Sequence, residues 1–282
     1  MAHADFGRFA ENKGREAERA VVSPLVTLED RSSSYRLQPI GNGWTRKHFD
    51  GDFYLVDPPP ERPALSLVFV QSHDGNTVVP DPATLGGGPV DFHLIYEGLS
   101  RVAADAVLAG AATVGRKVFF SIWHPELVSL RRDIGLPRHP AQVVVSREGR
   151  IRLDDGILFN VPNVPVFLII DPGGLRRVEK ALATRPWITV VPLAHGDLVG
   201  AFQCLRRDHG LSRISVVGGR TVATALIDAG LVQDLCLTTT AIDGGRPNTP
   251  FYTGHHPPPL DLIVRKRGTG ASSITFEHFA VA

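Results

Sequence analysis

Two glycine-containing turns hold the residue types that a bound phosphate requires. One is Ile214-Ser215-Val216-Val217-Gly218-Gly219-Arg220-Thr221, in which an apolar run leads into paired glycines and then into helical spacing. Glycines let a ligand approach the backbone closely, and the N–H groups at a helix N-terminus attract an anion. The spacing therefore predicts a pyrophosphate site at Gly218, Gly219 and Thr221, although plain turns also contain glycine pairs.

A second turn lies earlier in the chain, in Val107-Leu108-Ala109-Gly110-Ala111-Ala112-Thr113-Val114-Gly115-Arg116. An apolar run again leads into small residues, so Gly110, Ala111 and Thr113 would let a ligand reach backbone N–H groups. Arg116 could pair with a phosphate, a charge-assisted contact worth roughly 1.5–3 kcal/mol. The same residues are also compatible with a turn that only packs a strand against a helix.

A third turn, Ser72-His73-Asp74-Gly75, directly follows the apolar run Leu65–Val70. Ligands of α/β sheets bind beyond the carboxyl ends of the strands, so Ser72 and Asp74 are expected at a sheet edge that faces a cleft. Asp74 is a candidate proton donor, a role for which burial would have to raise its pKa. An ordinary Asp-Gly turn is the alternative interpretation.

Several common motifs are absent from the sequence. There is no G-x-G-x-x-G fingerprint, because Gly41-Asn42-Gly43-Trp44 lacks the last glycine, and there is neither a Walker A loop nor a G-x-S-x-G elbow. His255 and His256 are adjacent, and adjacent histidines rarely chelate one metal ion well, so no metal site is predicted. Cys204 and Cys236 lie in apolar stretches and are interpreted as reduced, buried side chains.

Composition limits the function classes further. The 282 residues are 43% hydrophobic and 21% charged, as in a folded globular chain. The formal net charge of +1 argues against nucleic-acid binding or a polybasic membrane anchor. No apolar run approaches the roughly 18 residues of a membrane helix, and the stretch 1–20 is polar with both charge signs, unlike a signal peptide. A soluble, cytoplasmic protein is expected.

The turns require a scaffold of alternating strands and helices to position them. The apolar runs are nearly unbroken valine, isoleucine and leucine, as in strands covered on both faces. The predicted strands are Leu65–Val70, Ala106–Ala109, Gln142–Ser146, Val166–Ile170, Ile188–Val191, Ile214–Val217, Leu235–Thr240 and Ile274–Ala280. The predicted helices are Leu198 to Leu205 with Asp197 as N-cap and Gly210 as stop, Val222 to Ala229 closed by Gly230, and Asp91 to Ala103.

This alternation predicts an α/β fold with a mainly parallel central sheet flanked by helices. A Pro/Gly-rich loop without a helix separates the last two predicted strands, which predicts antiparallel strands at the C-terminus. Residues 1–63 are polar, weakly periodic and end in the proline-rich linker Asp57–Pro63. The chain thus divides into an N-terminal extension over 1–63 and a main domain over 64–282. The extension contains an aromatic cluster of Trp44, Phe49, Phe53 and Tyr54, which would pack on the main body or on a partner subunit.

Together with Ala229-Gly230-Leu231-Val232-Gln233-Asp234-Leu235, the three turns resemble the reductase domain of the riboflavin-pathway deaminase-reductase. The resemblance covers residues 64–282 and implies a dihydrofolate-reductase-like fold, NADPH as cofactor and a homodimer. The residues implied to contact NADPH are Gly110, Ala111, Thr113, Ser146, Gly218, Gly219 and Thr221, with Arg116 or Arg220 on its 2′-phosphate. The family's fused deaminase needs an H-x-E motif together with a P-C-x-x-C motif to hold zinc, and this sequence lacks that pair because it has no P-C-x-x-C, so only the reductase is expected.

On the substrate side the sequence departs from the family. Riboflavin-pathway members hold a ribosyl-phosphate substrate with an Asp, an Arg and a Glu, where this chain has Lys117, His124 and Val217. The resemblance also places Ser72 beside the substrate and Asp74 beside the nicotinamide, where it would donate a proton or orient a water. The prediction is an NADPH-dependent reductase of a small pyrimidine- or pteridine-type heterocycle. The alternatives are a non-catalytic nucleotide-binding protein and a reductase of another small substrate such as dihydrofolate.

Overall fold

The computed structural model describes residues 2–79, 85–270 and 274–281. The strands are β1 Leu25–Asp30, β2 Leu37–Ile40, β3 Phe53–Val56, β4 Ala64–Gln71, β5 Ala106–Gly110, β6 Ala141–Ser146, β7 Val166–Ile170, β8 Ile188–Pro192, β9 Arg213–Val216, β10 Val232–Thr240, β11 Leu260–Gly268 and β12 Ile274–Val281. The main helices are α1 Ala2–Glu18, α2 Gly43–Phe49, a π-helix Asp91–Leu99, α3 Pro125–Asp133, α4 Pro172–Leu182, α5 Leu198–His209 and α6 Arg220–Asp228. Among the described helices, none is long and apolar enough to cross a membrane.

Ten of the described strands form one sheet, in the order β1-β11-β12-β10-β4-β9-β5-β6-β7-β8. The strands from β10 to β8 in this order run parallel to one another. At the other edge β12, β11 and β1 continue the sheet with antiparallel pairing. The predicted α/β architecture, mainly parallel with antiparallel C-terminal strands, is confirmed.

Alternating side chains of the central strands enter two apolar cores, one on each face of the sheet. On β5, Val107 and Ala109 face one core and Leu108 faces the other, as the two-residue period of a strand requires. Phe202 of α5 and Leu226 of α6 cover the second core and are fully buried. Because both faces are covered, the central strands read as unbroken apolar runs in the sequence.

Capping residues determine where the helices end and the connecting loops begin. α5 begins where the side chain of Asp197 accepts a hydrogen bond from the Gly200 N–H, and it ends at Gly210 in the left-handed conformation. α6 is followed by Gly230, which also has a positive φ of 63°. The predicted caps of α5 and the predicted glycine stop after α6 are confirmed.

The third predicted helix, over 91–103, differs in pitch and in length from the prediction. The structure has a π-helix over Asp91–Leu99, and the N–H of Ser100 donates to the carbonyl of Ile95, five residues earlier. A wider turn shifts which side chains share a face, so a spacing of 3.6 residues misplaces them. The prediction of an ordinary α-helix extending to Ala103 is therefore wrong.

Residues before the proline-rich linker contribute to the main sheet and to its core. β1 pairs antiparallel with β11, and Phe49 and Phe53 are buried in the core that also holds the π-helix. β11 itself was not predicted from sequence, because Arg265, Lys266 and Arg267 interrupt its apolar pattern. Through the pairing of β1 with β11, the segment 1–63 thus contributes a strand to the main sheet.

Candidate functional site

A cleft of about 600 Å³ opens at the carboxyl edge of the parallel sheet. Its walls come from the ends of β5 and β6, the loop after β8, and the first turns of α5 and α6. Six residues assigned to the cofactor from sequence line it together: Gly110, Ala111, Thr113, Ser146, Gly219 and Thr221. Parallel strands place their carboxyl ends at one edge, which explains how separate turns meet at one cleft.

Two glycines let the backbone form this cleft. A Cβ on Gly110 would lie 2.9 Å from Cγ2 of Val222, so the end of β5 approaches α6 more closely than a larger residue allows. Gly219 precedes α6 with a φ of 87° and a ψ of 97°, which L residues rarely adopt. A Cβ there would lie 3.4 Å from Oγ1 of Thr113. The N-terminus of α6 is consequently open to the cleft, and such a terminus favours a bound anion.

The turn after β6 forms another wall of the cleft. The hydroxyl of Ser146 accepts a hydrogen bond from the N–H of Gly149 at 3.1 Å. Gly149 has a φ of 67°, and any side chain on it would clash with the backbone of Gly174 at the start of α4. This turn presents Arg147 and Arg150, both exposed, to the cleft. The sequence analysis did not assign these arginines to the cleft. Their position on either side of a glycine, directly after a predicted strand, could have indicated an anion-binding turn.

Three residues assigned to the cofactor do not line the cleft. Arg116 is 71% exposed and lies 4.0 Å from a carboxylate oxygen of Asp155. Nε of Arg220 donates to the carbonyl of Pro250 at 2.7 Å. Gly218 directly precedes Gly219 in the sequence, but it does not line the cleft, and its φ is 112°. The structure therefore directs the two arginines of the turn after β6, rather than Arg116 or Arg220, toward the cleft.

The Asp74 turn lies at the same edge of the sheet, after β4. The carboxylate accepts hydrogen bonds from the hydroxyl of Ser72, from Nδ2 of Asn76 at 2.7 Å and from the N–H of Gly244 at 3.4 Å. These donors, the Ser72 hydroxyl first among them, hold the pKa of Asp74 below its ordinary value. The condition stated for Asp74 as a proton donor, a pKa raised by burial, is not met, because the side chain is exposed and its charged form is hydrogen-bonded.

The substrate positions implied by the resemblance do not converge. Lys117 is exposed and outside the lining of the cleft, while Val217 is buried in an apolar core. His124 is buried at the start of α3, and its ring stacks on Trp44 with centroids 4.1 Å apart. Burial, together with two neighbouring histidines, lowers the pKa of His124 to about 4, so the ring is neutral at pH 7. The assignment of Lys117, His124 and Val217 to one polar substrate pocket is not supported by their placement.

A polar cluster lies inside the core, away from the cleft. Ligand atoms of Asp234, Cys236 and His278 lie within 4.8 Å of one another, and all three residues are buried. Asp234 accepts a hydrogen bond from Oγ of Ser66 at 2.6 Å and pairs with Nε2 of His278 at 2.8 Å. Burial raises the pKa of the Cys236 thiol, and Cys204 is half-buried. The carboxylate is satisfied by its neighbours, as in a structural hydrogen-bond network.

Comparison with known proteins identifies the fold around this cleft. The chain resembles a pyrimidine reductase-like protein from Corynebacterium diphtheriae with a TM-score of 0.63 and 19% identity, over 78% of this chain and 92% of that one. It resembles Acinetobacter baumannii RibD with a TM-score of 0.56 and 14% identity, over 79% of this chain and 59% of that one. No curated protein matches the chain.

A third similar structure is the Thermotoga maritima diaminohydroxyphosphoribosylaminopyrimidine deaminase/5-amino-6-(5-phosphoribosylamino)uracil reductase. The TM-score is 0.57 with 16% identity, over 79% of this chain and 57% of that chain. A family model, the RibD C-terminal domain, matches residues 64–267. The match begins at the first residue of β4 and contains every residue that lines the cleft. The chain therefore belongs to the family of the RibD C-terminal domain.

Proposed function

We propose that the protein is an NADPH-dependent reductase of a small pyrimidine- or pteridine-type heterocycle. The observation that carries this proposal is the cleft at the carboxyl edge of the sheet. There Gly110, Thr113, Ser146, Gly219 and Thr221 meet beside an open helix N-terminus. Membership of the RibD C-terminal domain family supports it, since the similar structures include a pyrimidine reductase-like protein and a deaminase/5-amino-6-(5-phosphoribosylamino)uracil reductase.

The residues of the cleft fit a dinucleotide phosphate. The N–H groups at the start of α6 and the hydroxyls of Thr113 and Thr221 would hold the pyrophosphate. Arg147 and Arg150 would meet the 2′-phosphate, a role that suits a planar guanidinium. When bound, NADPH supplies a hydride, and reduction of a C=N bond then requires a proton from another group.

The proton is the part of the reaction to which Asp74 could contribute. Because its pKa is lowered, the carboxylate is ionised at neutral pH and accepts hydrogen bonds. We propose that Asp74 orients a water or a substrate N–H, with Ser72 holding the carboxylate in place. The direct proton donor would then be water.

One observation favours a substrate other than the ribosyl-phosphate intermediate of the riboflavin pathway. Lys117 and Val217 contribute no side chain to the cleft, and His124 is buried in a stack with Trp44. Phosphate and ribose groups would thus lack the partners that the family pattern implies at these positions. A reductase of another small substrate such as dihydrofolate, or a nucleotide-binding protein without turnover, is the second candidate.

Cofactor binding tests the first half of this proposal. Titration with NADPH should change the nicotinamide fluorescence, and NADH should bind about 10- to 100-fold more weakly, as expected for one lost charge-assisted contact. Arg147→Ala and Arg150→Ala should weaken NADPH binding but not NADH binding, whereas Arg116→Ala should change neither. Equal affinity for both nucleotides would contradict the 2′-phosphate assignment.

Turnover tests the second half. NADPH oxidation should be measured with the ribosylaminouracil phosphate and with dihydrofolate, side by side. We expect kcat/KM for the former to lie below the ordinary enzyme range, which begins at about 10⁴ M⁻¹s⁻¹. A higher value would replace this proposal with a riboflavin-pathway activity. Tight NADPH binding without oxidation by any pterin, pyrimidine or imine would favour the non-catalytic alternative.

The active assembly is a further part of the proposal. We propose a homodimer, on the family resemblance and on the apolar surface of the edge strand β1. Val26 and Leu28 on this strand are 43% and 50% exposed. Exposed apolar side chains on an edge strand are typical of a surface that another chain covers.

A further inference from the structure

A second cavity, of about 310 Å³, lies between α1 and the π-helix. Its apolar walls come from Ala17 of α1 and Ala20 just after this helix, from Pro89 and Phe92, and from Trp123. Among the described residues, none lines both this cavity and the cleft at the sheet edge. A volume at the small end of the range for ligand pockets, with flat aromatic walls, suits a molecule of one or two rings.

One buried polar side chain enters this apolar wall. His93 lines the cavity, its side chain is 6% exposed, and its Nδ1 lies 3.0 Å from Oε2 of Glu97. Because a carboxylate only accepts hydrogen bonds, the neutral ring carries its hydrogen on Nδ1 and keeps a lone pair on Nε2. In the part of the chain that the structure describes, Nε2 has no hydrogen-bond partner. It is therefore an acceptor left for a ligand.

Glu97 fixes the orientation of this acceptor. Its carboxylate is fully buried and also accepts hydrogen bonds from the backbone N–H groups of Trp123 and His124, each at 3.2 Å. Three donors thus hold the carboxylate, and a buried charge held in this way moves only at a high free-energy cost. The His93 ring is consequently held in one orientation by this contact, and the residue forms part of the cavity wall.

Charge at the cavity favours a neutral ligand. Lys13 and Glu16 of α1 line it and form an ion pair at 2.6 Å, so they satisfy each other. The negative charge of Glu97 behind His93 disfavours an anion, and the guanidinium of Arg138, which lies 5.4 Å from the centre of the Trp123 ring, disfavours a further cation beside that ring.

We propose that this cavity binds a small, uncharged aromatic molecule that donates an O–H or N–H hydrogen bond to Nε2 of His93. The ring of the ligand packs between Phe92 and Trp123, and Ala17 and Ala20 leave the space that it fills. The site is separate from the proposed cofactor cleft, so ligand binding here does not require NADPH.

Calorimetric titration with phenol and with anisole tests the proposal. The two probes share a ring, but only phenol can donate a hydrogen bond. Phenol should bind the wild-type protein about tenfold more tightly than anisole, the effect of one buried hydrogen bond. His93→Phe keeps a flat ring and removes the acceptor, so it should abolish this difference. Equal binding of both probes to the wild type, or no saturable binding of phenol at millimolar concentration, would overturn the proposal.

A second pair of variants locates the site without changing the His93–Glu97 contact. Ala20→Trp fills the cavity from a half-buried position two residues after the end of α1 and should abolish phenol binding. Glu18→Trp adds the same side chain at an exposed position of α1 outside the cavity and should leave phenol binding unchanged. Phenol binding that survives Ala20→Trp in a folded protein would show that the probe binds elsewhere.

Discussion

Replacing Gly219 with alanine perturbs the cleft in two ways that a matched control can separate. Gly219 has a φ of 87° and a ψ of 97°, where an L residue is strained by about 1–3 kcal/mol. The added Cβ would also stand 3.4 Å from the Thr113 hydroxyl, in the space assigned to the pyrophosphate. Gly219→Ala should therefore lower both the free energy of unfolding and the affinity for NADPH.

Gly230→Ala supplies the control at the other end of α6. Gly230 has a φ of 63°, and a Cβ there would meet nothing within 4 Å. A left-handed residue other than glycine is strained by about 1–2 kcal/mol, so this variant should also lose stability. In both variants the melting temperature should fall by about 2–4 °C for each kcal/mol lost. Only Gly219→Ala changes the cleft.

The assay is a fluorescence titration with NADPH at a temperature where all three proteins are folded. Gly219→Ala should raise Kd at least about tenfold, the equivalent of one charge-assisted hydrogen bond. Gly230→Ala should bind like the wild type. If Gly219→Ala binds NADPH with a Kd within about twofold of the wild-type value, the phosphate is not held at this helix terminus, and the reasoning from the cleft fails.

Other predictions concern the core, the proton and the assembly. Burial raises the pKa of Asp91 to about 6, so its contribution to stability is full below its ordinary pKa of 3.8 and is lost as pH rises through about 6. Asp91→Asn should therefore raise the urea midpoint at pH 8 and leave it nearly unchanged at pH 3.5; equal gains at both would contradict this. Arg131 is buried and donates to carbonyls that follow the π-helix, so Arg131→Met should lose more than about 2 kcal/mol in urea unfolding, against less than about 0.5 for the exposed Arg132→Ala. Asp74→Asn should lower kcat about a hundredfold with NADPH affinity unchanged, and an unaltered kcat would mean that the turn is only structural. Light scattering at micromolar concentration should report a dimer, and a monomer would refute that proposal.

The meeting of the glycine-containing turns at one cleft was predictable because its signals are local. Gly110 and Gly219 each follow a buried strand and precede a helix or turn, and the parallel topology then brings such turns to one edge. Which arginines face the cleft was not predictable from spacing. Arg147 and Arg150 reach it only because Gly149 packs against the start of α4, a contact between residues far apart in sequence.

Strand β11 was not predicted because a buried charged residue interrupts its apolar sequence pattern. Lys266 is 2% exposed, and its Nζ donates to Oγ1 of Thr27 at 2.7 Å and to the carbonyl of Asp50 at 3.0 Å, beside the ring of Phe49. These partners precede it by more than 200 residues, so no pattern within the strand indicates that a lysine belongs in the core. The burial of His124 was unpredictable for a similar reason, because counting along a loop cannot reveal a stack with a tryptophan 80 residues earlier in the sequence.

The place of β4 in the strand order has a consequence for synthesis on the ribosome. β4 is made early, yet both of its neighbours, β9 and β10, begin only at Arg213 and Val232. β5 to β8 can pair with one another as they emerge, whereas β4 waits with two open edges until more than a hundred further residues have been added. If synthesis stops before Val232, the resulting chain thus contains a β4 strand that lacks at least one of its two partners. Such a fragment is expected to aggregate and to be captured by chaperones or proteases.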